Sequence, residues 1–215
     1  MMRFLLIQKP AVLLYRKSYQ LSKRLFDLLV CVLISPLIAV LIMAIGISIW
    51  CSSPGPIFFT QWRTGRGGRR FRMYKFRTMV TNAEELKQQY LHLNELEPPD
   101  FKIKDDPRIF SVGRFLRKTS LDELPQIFNV FKGEMSLVGP RPTSFDVTTY
   151  DLRHTERLEV IPGITGLWQI SGRSEIDFDK RVDLDVTYIV NQSFWFDFKI
   201  LVSTVFSVFK QRGAY

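Results

Sequence analysis

One apolar segment dominates the hydropathy pattern of this 215-residue chain. Leu25 to Trp50 contains one charged residue, Asp27, and has a Ser35-Pro36 pair near its middle. A straight helix of this length would be about 39 Å long, which is enough to cross a bilayer core of about 30 Å. Proline removes a helical hydrogen bond, so the pair should kink or break the helix. Either half alone is then too short to cross the membrane.

Positive charge flanks this segment on both sides. Lys23 and Arg24 precede it, and a run of arginines and lysines follows between positions 63 and 77. Because positively charged flanks stay in the cytoplasm, both ends favour the same side of the membrane. The pattern therefore predicts a re-entrant helix-break-helix hairpin over residues 23–52, with its break at Ser35 and Pro36. A kinked transmembrane helix is the alternative, because proline is common in such helices.

The remaining chain alternates short elements with turns. Two β-prone runs, 57–61 and 71–76, flank a glycine-rich turn and predict a β-hairpin. Helical patterns follow at 81–97, at 109–131 with a new start at Ser120, at 177–191 and at 194–209. Because the strands are few and short, the predicted fold class is α+β and mainly helical.

These patterns divide the chain into four parts. We predict a basic N-terminal interfacial segment over 1–22, the membrane hairpin over 23–52, a small cytoplasmic catalytic domain over 53–193, and an aromatic-rich interfacial C-terminal helix and tail over 194–215. The first segment equally fits a frayed basic tail, and the last helix equally fits a buried core helix.

Composition narrows the range of partners. A net charge of +9 indicates an anionic partner, and the apolar segment favours a phosphorylated substrate or anionic lipid over nucleic acid. Cys31 and Cys51 lie within or beside the apolar segment, so they form no extracellular disulfide framework and fit a reducing cytoplasm. His92 and His154 do not have the spacing of a zinc site.

Asp122 and Glu123 are the strongest candidates for chemistry. Ser120 and Glu123 also have capping-box spacing, so a purely structural role at a helix start is the alternative. Basic residues surround the pair in sequence, with Arg108, Arg114, Arg117 and Lys118 upstream and Arg141 downstream. Two carboxylates among arginines can ligate magnesium or attack phosphorus, while the arginines hold a pyrophosphate.

A series of motifs in this order resembles the bacterial sugar transferase family, the monotopic polyprenyl-phosphate phosphoglycosyl transferases. The motifs are Lys75-Phe76-Arg77-Thr78-Met79, Asp106-Pro107-Arg108, Val112 to Gln126, Asn129 to Ser136, Val138 to Pro142 and Pro162 to Gly166. The segment Trp168 to Arg173 resembles the branch that initiates exopolysaccharide and capsule synthesis. The resemblance covers nearly the whole chain. The extra N-terminal transmembrane helices of larger members are missing, which predicts a short form or a trimmed chain.

The resemblance implies a specific reaction on the cytoplasmic face of the bacterial inner membrane. A sugar 1-phosphate passes from a UDP-sugar to undecaprenyl (polyprenyl) phosphate, and UMP leaves. Asp122 is implied as the nucleophile that forms an aspartyl phosphosugar, and Asp122 with Glu123 as the ligands of Mg²⁺, for which Mn²⁺ is a possible substitute. The resemblance implies phosphate binding for Arg117 and Arg141, and it places Lys75 and Arg77 in a motif where substrate contact is expected. Arg108 and Arg114 are candidates for phosphate or substrate binding because they lie just upstream of the carboxylates.

Two other classes of function stay open from the residues alone. Arginines interleaved with aromatic residues between positions 62 and 77 also fit a membrane-tethered nucleic-acid binder, although that interpretation leaves Asp122 and Glu123 unexplained. A non-catalytic scaffold of polysaccharide assembly is the third class. We expect an enzyme with no nucleic-acid partner, UDP-glucose or UDP-galactose as donor, contact with the lipid bilayer, and a possible homodimer.

Overall fold

The computed structural model describes residues 10–94, 103, 105–149, 151–172 and 176–209. Six α-helices lie in these ranges: α1 (Pro10–Ser52), α2 (Ser111–Thr119), α3 (Ile127–Lys132), α4 (Leu167–Ser171), α5 (Phe178–Val190) and α6 (Phe194–Phe209). The strands are β1 (Phe58–Thr64), β2 (Arg70–Phe76), β3 (Ser136–Val138) and β4 (Gly163–Thr165). Short 3₁₀ helices cover Arg66–Gly68, Glu85–Leu93, Leu121–Gln126, Val147–Thr149 and Leu152–Glu159. The predicted mainly helical α+β class is confirmed.

Parts of the predicted terminal segments lie outside the described residues, namely 1–9 and 210–215. The end of the predicted helix at 81–97 lies outside them too, and its described part is the 3₁₀ helix Glu85–Leu93 rather than an α-helix.

Two small sheets organise the domain. β1 and β2 form the predicted antiparallel hairpin, in a register that pairs Thr64 with Arg70 and Phe59 with Lys75. β3 and β4 form a short parallel pair. One face of β2 places Phe71 and Met73 in the main core, together with residues of α3, α5 and α6. Alternation along the strand then brings Lys75 to the same face, at the end where the hairpin meets the 3₁₀ helix Leu121–Gln126.

Helix α1 continues through Pro36, so the predicted division into two separate helices is wrong. Proline lacks the N–H that would donate to the carbonyl of Val32, four residues earlier. The Ser35 hydroxyl donates to that same carbonyl at 2.8 Å. The sequence pair therefore supplies its own substitute hydrogen bond, and the helical path is kept without an unsatisfied carbonyl on an apolar surface.

Both halves of α1 pack against one domain. In the first half, Cys31 belongs to the main core, and Ser136 of β3 donates to the Asp27 carboxylate at 2.6 Å. In the second half, Ile45 and Ile49 form a second core with Phe76 and Leu116. The stretch between these contacts is largely exposed and apolar, including Val32, Leu33, Leu37, Val40 and Met43.

An apolar surface continues from α1 onto α6. Within the described residues α1 contains the one helix, Ser18–Ser52, that is long and apolar enough to cross a membrane. On α6, one side is buried through Asp197 and Ile200, and the other exposes Trp195, Phe198, Val205 and Phe206. Helix α6 therefore has a buried side, as a core helix has, and an exposed apolar side of the kind found in interfacial helices.

We expect Gly113→Ala to destabilise the domain strongly. A Cβ at this position in α2 would lie 2.1 Å from the backbone oxygen of Thr78, which is a fixed atom. Overpacking of this kind commonly costs about 1–3 kcal/mol. Gly46→Ala in α1 is the matched control, because its Cβ would meet only the Ile57 side chain at 3.5 Å. Thermal unfolding in detergent should give a clearly lower midpoint for Gly113→Ala; equal midpoints would contradict the close approach.

Candidate active site

The chain reverses direction at Ser120 and presents two carboxylates together. Helix α2 ends at Thr119, Ser120 adopts the left-handed conformation with φ of 58°, and the 3₁₀ helix starts at Leu121. The new start predicted at Ser120 is confirmed. The capping box is wrong, because the Ser120 side chain makes no capping hydrogen bond. The Glu123 carboxylate is bound by cations instead of by the backbone of the first turn.

Glu123 is held on both of its carboxylate oxygens. Arg141 donates to Oε2 at 2.9 Å and also to Oε1, and the Lys75 ammonium donates to Oε1 at 2.8 Å. Burial by itself would raise the pKa of Glu123, but Arg141 and Lys75 outweigh it and hold the pKa well below its usual range. Glu123 therefore remains an anion whose charge is neutralised by two neighbours.

Asp122 has a different environment from its neighbour. Its residue is 8% exposed, and its described polar contact is with the Lys75 ammonium, 3.4 Å from Oδ2. Burial is the largest influence and raises the pKa of Asp122, and the negative charge of Glu123 adds to that rise against the opposing charges of Lys75, Arg117 and Arg141. The two adjacent carboxylates are thus a firmly bound one and a loosely bound, more basic one.

Arg117 reaches the site from helix α2. Its Nε donates to the Thr78 hydroxyl at 2.9 Å, which fixes the guanidinium just beyond the end of β2. Burial lowers the pKa of Arg117, while the charge of Asp122 raises it in part. Lys75, Arg117 and Arg141 therefore come from three separate elements and act on one carboxylate pair.

Arg141 lies on a loop between two prolines. Neither Pro140 nor Pro142 has a backbone N–H, so the loop is held through its carbonyl oxygens. Gly163 donates to the Pro140 carbonyl at 2.9 Å, and Thr64 donates to the Thr143 carbonyl at 2.9 Å. These bonds tie the loop to β4 and to the end of β1, which directs the Arg141 side chain toward Glu123.

Three of the arginines predicted to bind phosphate lie elsewhere. Arg77 is buried and donates to Ser53 Oγ at 2.8 Å and to the Ser53 carbonyl at 2.6 Å, which connects β2 to the end of α1. Arg108 makes a buried ion pair with Asp106, with Nη2 to Oδ2 at 2.6 Å. Arg114 is exposed on α2. The geometry gives Arg77 and Arg108 structural contacts, and a phosphate contact for these three residues stays a prediction.

Some important polar residues were not predicted as part of this arrangement. Asn129 receives a hydrogen bond from the Tyr74 backbone at 3.0 Å and donates to the Arg72 carbonyl at 2.7 Å, which locks α3 to β2. Thr78 orients Arg117. Asn129 and Thr78 fall inside the family motifs, so the motifs could have marked them as candidates. Their roles could not be read from the motifs, because they depend on contacts between distant segments.

The carboxylates fit a magnesium ion only in part. Within the described ranges no group of three or more His, Cys, Asp and Glu side chains could hold a metal. Both Glu123 oxygens already accept hydrogen bonds from cations, which leaves Asp122 as the more available ligand. Mg²⁺ is commonly bound by one or two carboxylates together with substrate phosphates, and that mode suits this site.

The site thus combines a buried Asp122 and a partly buried Glu123 with three cations, beside a long apolar helix, and cations of this kind bind phosphate groups in many proteins. The model of the family described as bacterial sugar transferase matches residues 18–211. The chain belongs to that family, and the resemblance identified from the motifs is confirmed.

Curated relatives agree with this membership. The galactosyl transferase CpsE of Streptococcus agalactiae is 46% identical over 209 residues, which cover 93% of this chain and 45% of the relative. The undecaprenyl-phosphate galactose phosphotransferase of Salmonella typhimurium is 44% identical over 210 residues, covering 94% and 43%. The UDP-glucose:undecaprenyl-phosphate glucose-1-phosphate transferase of Escherichia coli is 40% identical over 210 residues, covering 91% and 42%. The chain spans less than half the length of these relatives.

Proposed function

We propose that this protein is a phosphoglycosyl transferase that moves a sugar 1-phosphate from a UDP-sugar to a polyprenyl phosphate. The observation that carries the proposal is the difference between the two adjacent carboxylates. Glu123 is bound on both oxygens by Arg141 and Lys75, whereas Asp122 makes one longer contact and has a raised pKa. Asp122 is therefore the available nucleophile, and Glu123 fixes the cations around it.

In the first step, an Asp122 carboxylate oxygen attacks the phosphorus that bears the sugar. A bond forms between that oxygen and phosphorus, the phosphorus–oxygen bond to the UMP phosphate breaks, and UMP leaves with the bonding electrons. Arg141 and Lys75 bind the carboxylates and Arg117 acts on Asp122 through its charge, so all three would offset the negative charge that develops on the phosphate oxygens.

In the second step, an oxygen of the lipid phosphate attacks the same phosphorus. The bond between phosphorus and Asp122 breaks, the carboxylate is regenerated, and the product is a polyprenyl diphosphate sugar. In this second step the surrounding cations would stabilise the negative charge of the released Asp122 carboxylate.

The donor and acceptor are proposed from the relatives' names. Two of those relatives are named for galactose and one for glucose, and two are named for undecaprenyl phosphate. We therefore propose UDP-galactose or UDP-glucose as the donor and undecaprenyl phosphate as the acceptor. This reaction would be an initiating step of exopolysaccharide or capsule synthesis. A nucleic-acid-binding role or a purely non-catalytic scaffold is not favoured by these relatives.

Magnesium is proposed as the metal that assists the first step. Asp122 would supply a protein ligand, the substrate diphosphate the others, and Glu123 would contribute only by giving up a contact with Arg141 or Lys75. When bound, the ion would neutralise charge on the diphosphate. We expect UMP release to require Mg²⁺ or Mn²⁺, and full activity after exhaustive chelation would exclude a metal from the reaction.

The packing of α1 supports a re-entrant path in the membrane. Asp27 and Ile49, near opposite ends of the apolar segment, both pack against the same domain, and the exposed apolar stretch lies between them. A spanning helix would place one of these ends on the far side of the bilayer from that domain. We propose that the domain sits on the cytoplasmic face of the inner membrane, with α6 contributing its exposed aromatic side to the interface. A homodimer also remains a prediction.

The covalent step is tested with the Asp122→Asn variant. Brief incubation of the wild-type protein with a UDP-sugar should add one phosphosugar to the protein and release UMP, and peptide mapping should locate the adduct on Asp122. The Asn side chain keeps the shape but not the nucleophilic oxygen, so the variant should stay folded and form no adduct. Intact-mass spectrometry across UDP-glucose, UDP-galactose and N-acetylated donors measures this. An adduct on Asp122→Asn, or turnover without any adduct, would contradict the scheme.

Membrane topology is tested with single cysteines. Cys51 is exposed at one end of the apolar segment and Cys31 is buried, so wild-type Cys51 reports that end. Ser22→Cys combined with Cys51→Ser reports the other end, where Ser22 is exposed. A membrane-impermeant maleimide should label both sites in spheroplasts only after permeabilisation. Cys51→Ser alone is the background control, and labelling of the Ser22→Cys site from outside would show that the helix spans.

A further inference from the structure

A buried ion pair from two distant elements holds the backbone of the Arg141 loop. Arg157, in the 3₁₀ helix Leu152–Glu159, donates through Nη2 to the Arg141 carbonyl at 2.9 Å and to Asp185 Oδ2 of α5 at 2.6 Å. Their side chains are 4% and 1% exposed. The backbone of a residue that holds Glu123 is thus tied to α5 through a single guanidinium.

This contact acts on a loop that other hydrogen bonds hold on either side of Arg141. A small cavity of about 10 Å³, room for about one water molecule, lies beside Arg141 and Arg157 and is also lined by Thr64, Pro142 and Thr143. The prolines on both sides of Arg141 remove two backbone donors. Gly163 and Thr64 hold the carbonyls of Pro140 and Thr143, and the hydrogen bond from Arg157 holds the Arg141 carbonyl between them. Arg157 therefore constrains the backbone at the residue whose side chain binds Glu123.

The ion pair between Arg157 and Asp185 is not expected to contribute much to the stability of the fold. Asp185 Oδ1 is buried without a hydrogen-bond partner. A buried ion pair is often no more stabilising than apolar side chains of similar volume, because both charges lose their hydration. A pair with an unsatisfied oxygen is weaker still, so its place in the structure is better explained by what Arg157 orients than by the stability that it contributes.

We propose that Arg157 and Asp185 are positioning residues for the phosphoglycosyl transfer step. Asp185 orients the Arg157 guanidinium, Arg157 fixes the Arg141 backbone, and Arg141 then holds Glu123 and faces the substrate phosphates. Neither residue touches the reacting atoms. This inference rests on the proposed function, since the step that it serves is the attack by Asp122.

The chain provides a matched control between the same two elements. Arg153 in the 3₁₀ helix pairs with Asp183 of α5, and both side chains are more than half exposed, at 57% and 56%. This pair also joins the 3₁₀ helix to α5, but no described contact connects it with Arg141. Any loss that follows from simply loosening the two elements should therefore appear in both pairs.

The experiment compares two double variants in single-turnover adduct formation with a saturating UDP-sugar. Arg157→Met with Asp185→Leu should lower the rate constant at least tenfold, because small misplacements of catalytic groups cost one to two orders of magnitude. The fraction of protein that finally carries the adduct should stay near the wild-type value, and the thermal midpoint should not fall below that of Arg153→Met with Asp183→Leu.

The control pair should keep a rate constant within about threefold of wild type, a change that corresponds to well under 1.4 kcal/mol.

A purely structural role predicts different readouts. It would lower the adduct-carrying fraction and the thermal midpoint while leaving the rate constant of the folded fraction unchanged, and that result would overturn the proposal. So would equal rate losses in the two double variants. If the buried double variant does not fold, Arg157→Lys decides: lysine keeps the charge beside Asp185 but lacks the planar fork, so its rate constant should fall severalfold at a near-wild-type midpoint. A wild-type rate for Arg157→Lys would then refute the positioning role.

The wild-type protein separates this inference from the function on which it rests. If the wild type forms no adduct with any UDP-sugar, the proposed function itself fails. If the wild type forms the adduct and the Arg157 and Asp185 variants form it equally fast, only the positioning role fails.

Discussion

Charge neutralisation of one partly buried glutamate organises this candidate active site. The Glu123 side chain is only 17% exposed, so it is stable as an anion only with close cations, and it receives them from β2 through Lys75 and from the loop after β3 through Arg141. Satisfying that one carboxylate therefore brings the hairpin, the 3₁₀ helix and the Arg141 loop to a common point. Asp122, next to it in sequence, lies near the same cations, but its described contact with Lys75 is longer, at 3.4 Å. A single constraint thus produces one fixed carboxylate and one available carboxylate.

The same principle joins the long apolar helix α1 to the domain. Two carboxylates lie in apolar segments, Asp27 in α1 and Asp197 in α6, and both are buried. Asp27 accepts from Ser136, while Asp197 accepts from Lys23 at 2.7 Å and from Tyr188 at 2.7 Å. These bonds connect α1 with β3, α5 and α6. Internal polar contacts accordingly fix how the domain sits against α1, which the exposed leucines of α1 could not do because apolar contacts are not directional.

The arginines illustrate why residue type alone does not assign a role. Arg141 binds the Glu123 carboxylate and Arg117 acts on Asp122 through its charge, whereas Arg77 binds Ser53 and Arg108 binds the Ala83 carbonyl, so both of these join separate segments of the chain. All four occur in family motifs. Arg157, which those motifs do not include, supports the loop of Arg141 and is close to the site in space. A guanidinium with several fixed donors serves as readily to bind backbone carbonyls as to bind phosphate, and only its neighbours distinguish the two uses.

The sequence by itself determined the fold class, the β-hairpin, the turn at Ser120, the family and the pair Asp122-Glu123, because apolar periodicity, glycine turns and adjacent motif residues are local properties. Only the tertiary structure decided that α1 continues through Pro36, that Glu123 binds cations instead of capping its helix, and which arginines converge. The physical reason is that hydrogen bonds and charge neutralisation act across distances of a few ångströms in space. Residues that form such contacts can be far apart in the chain, as Arg157 and Asp185 are, so no local sequence pattern reveals that they meet.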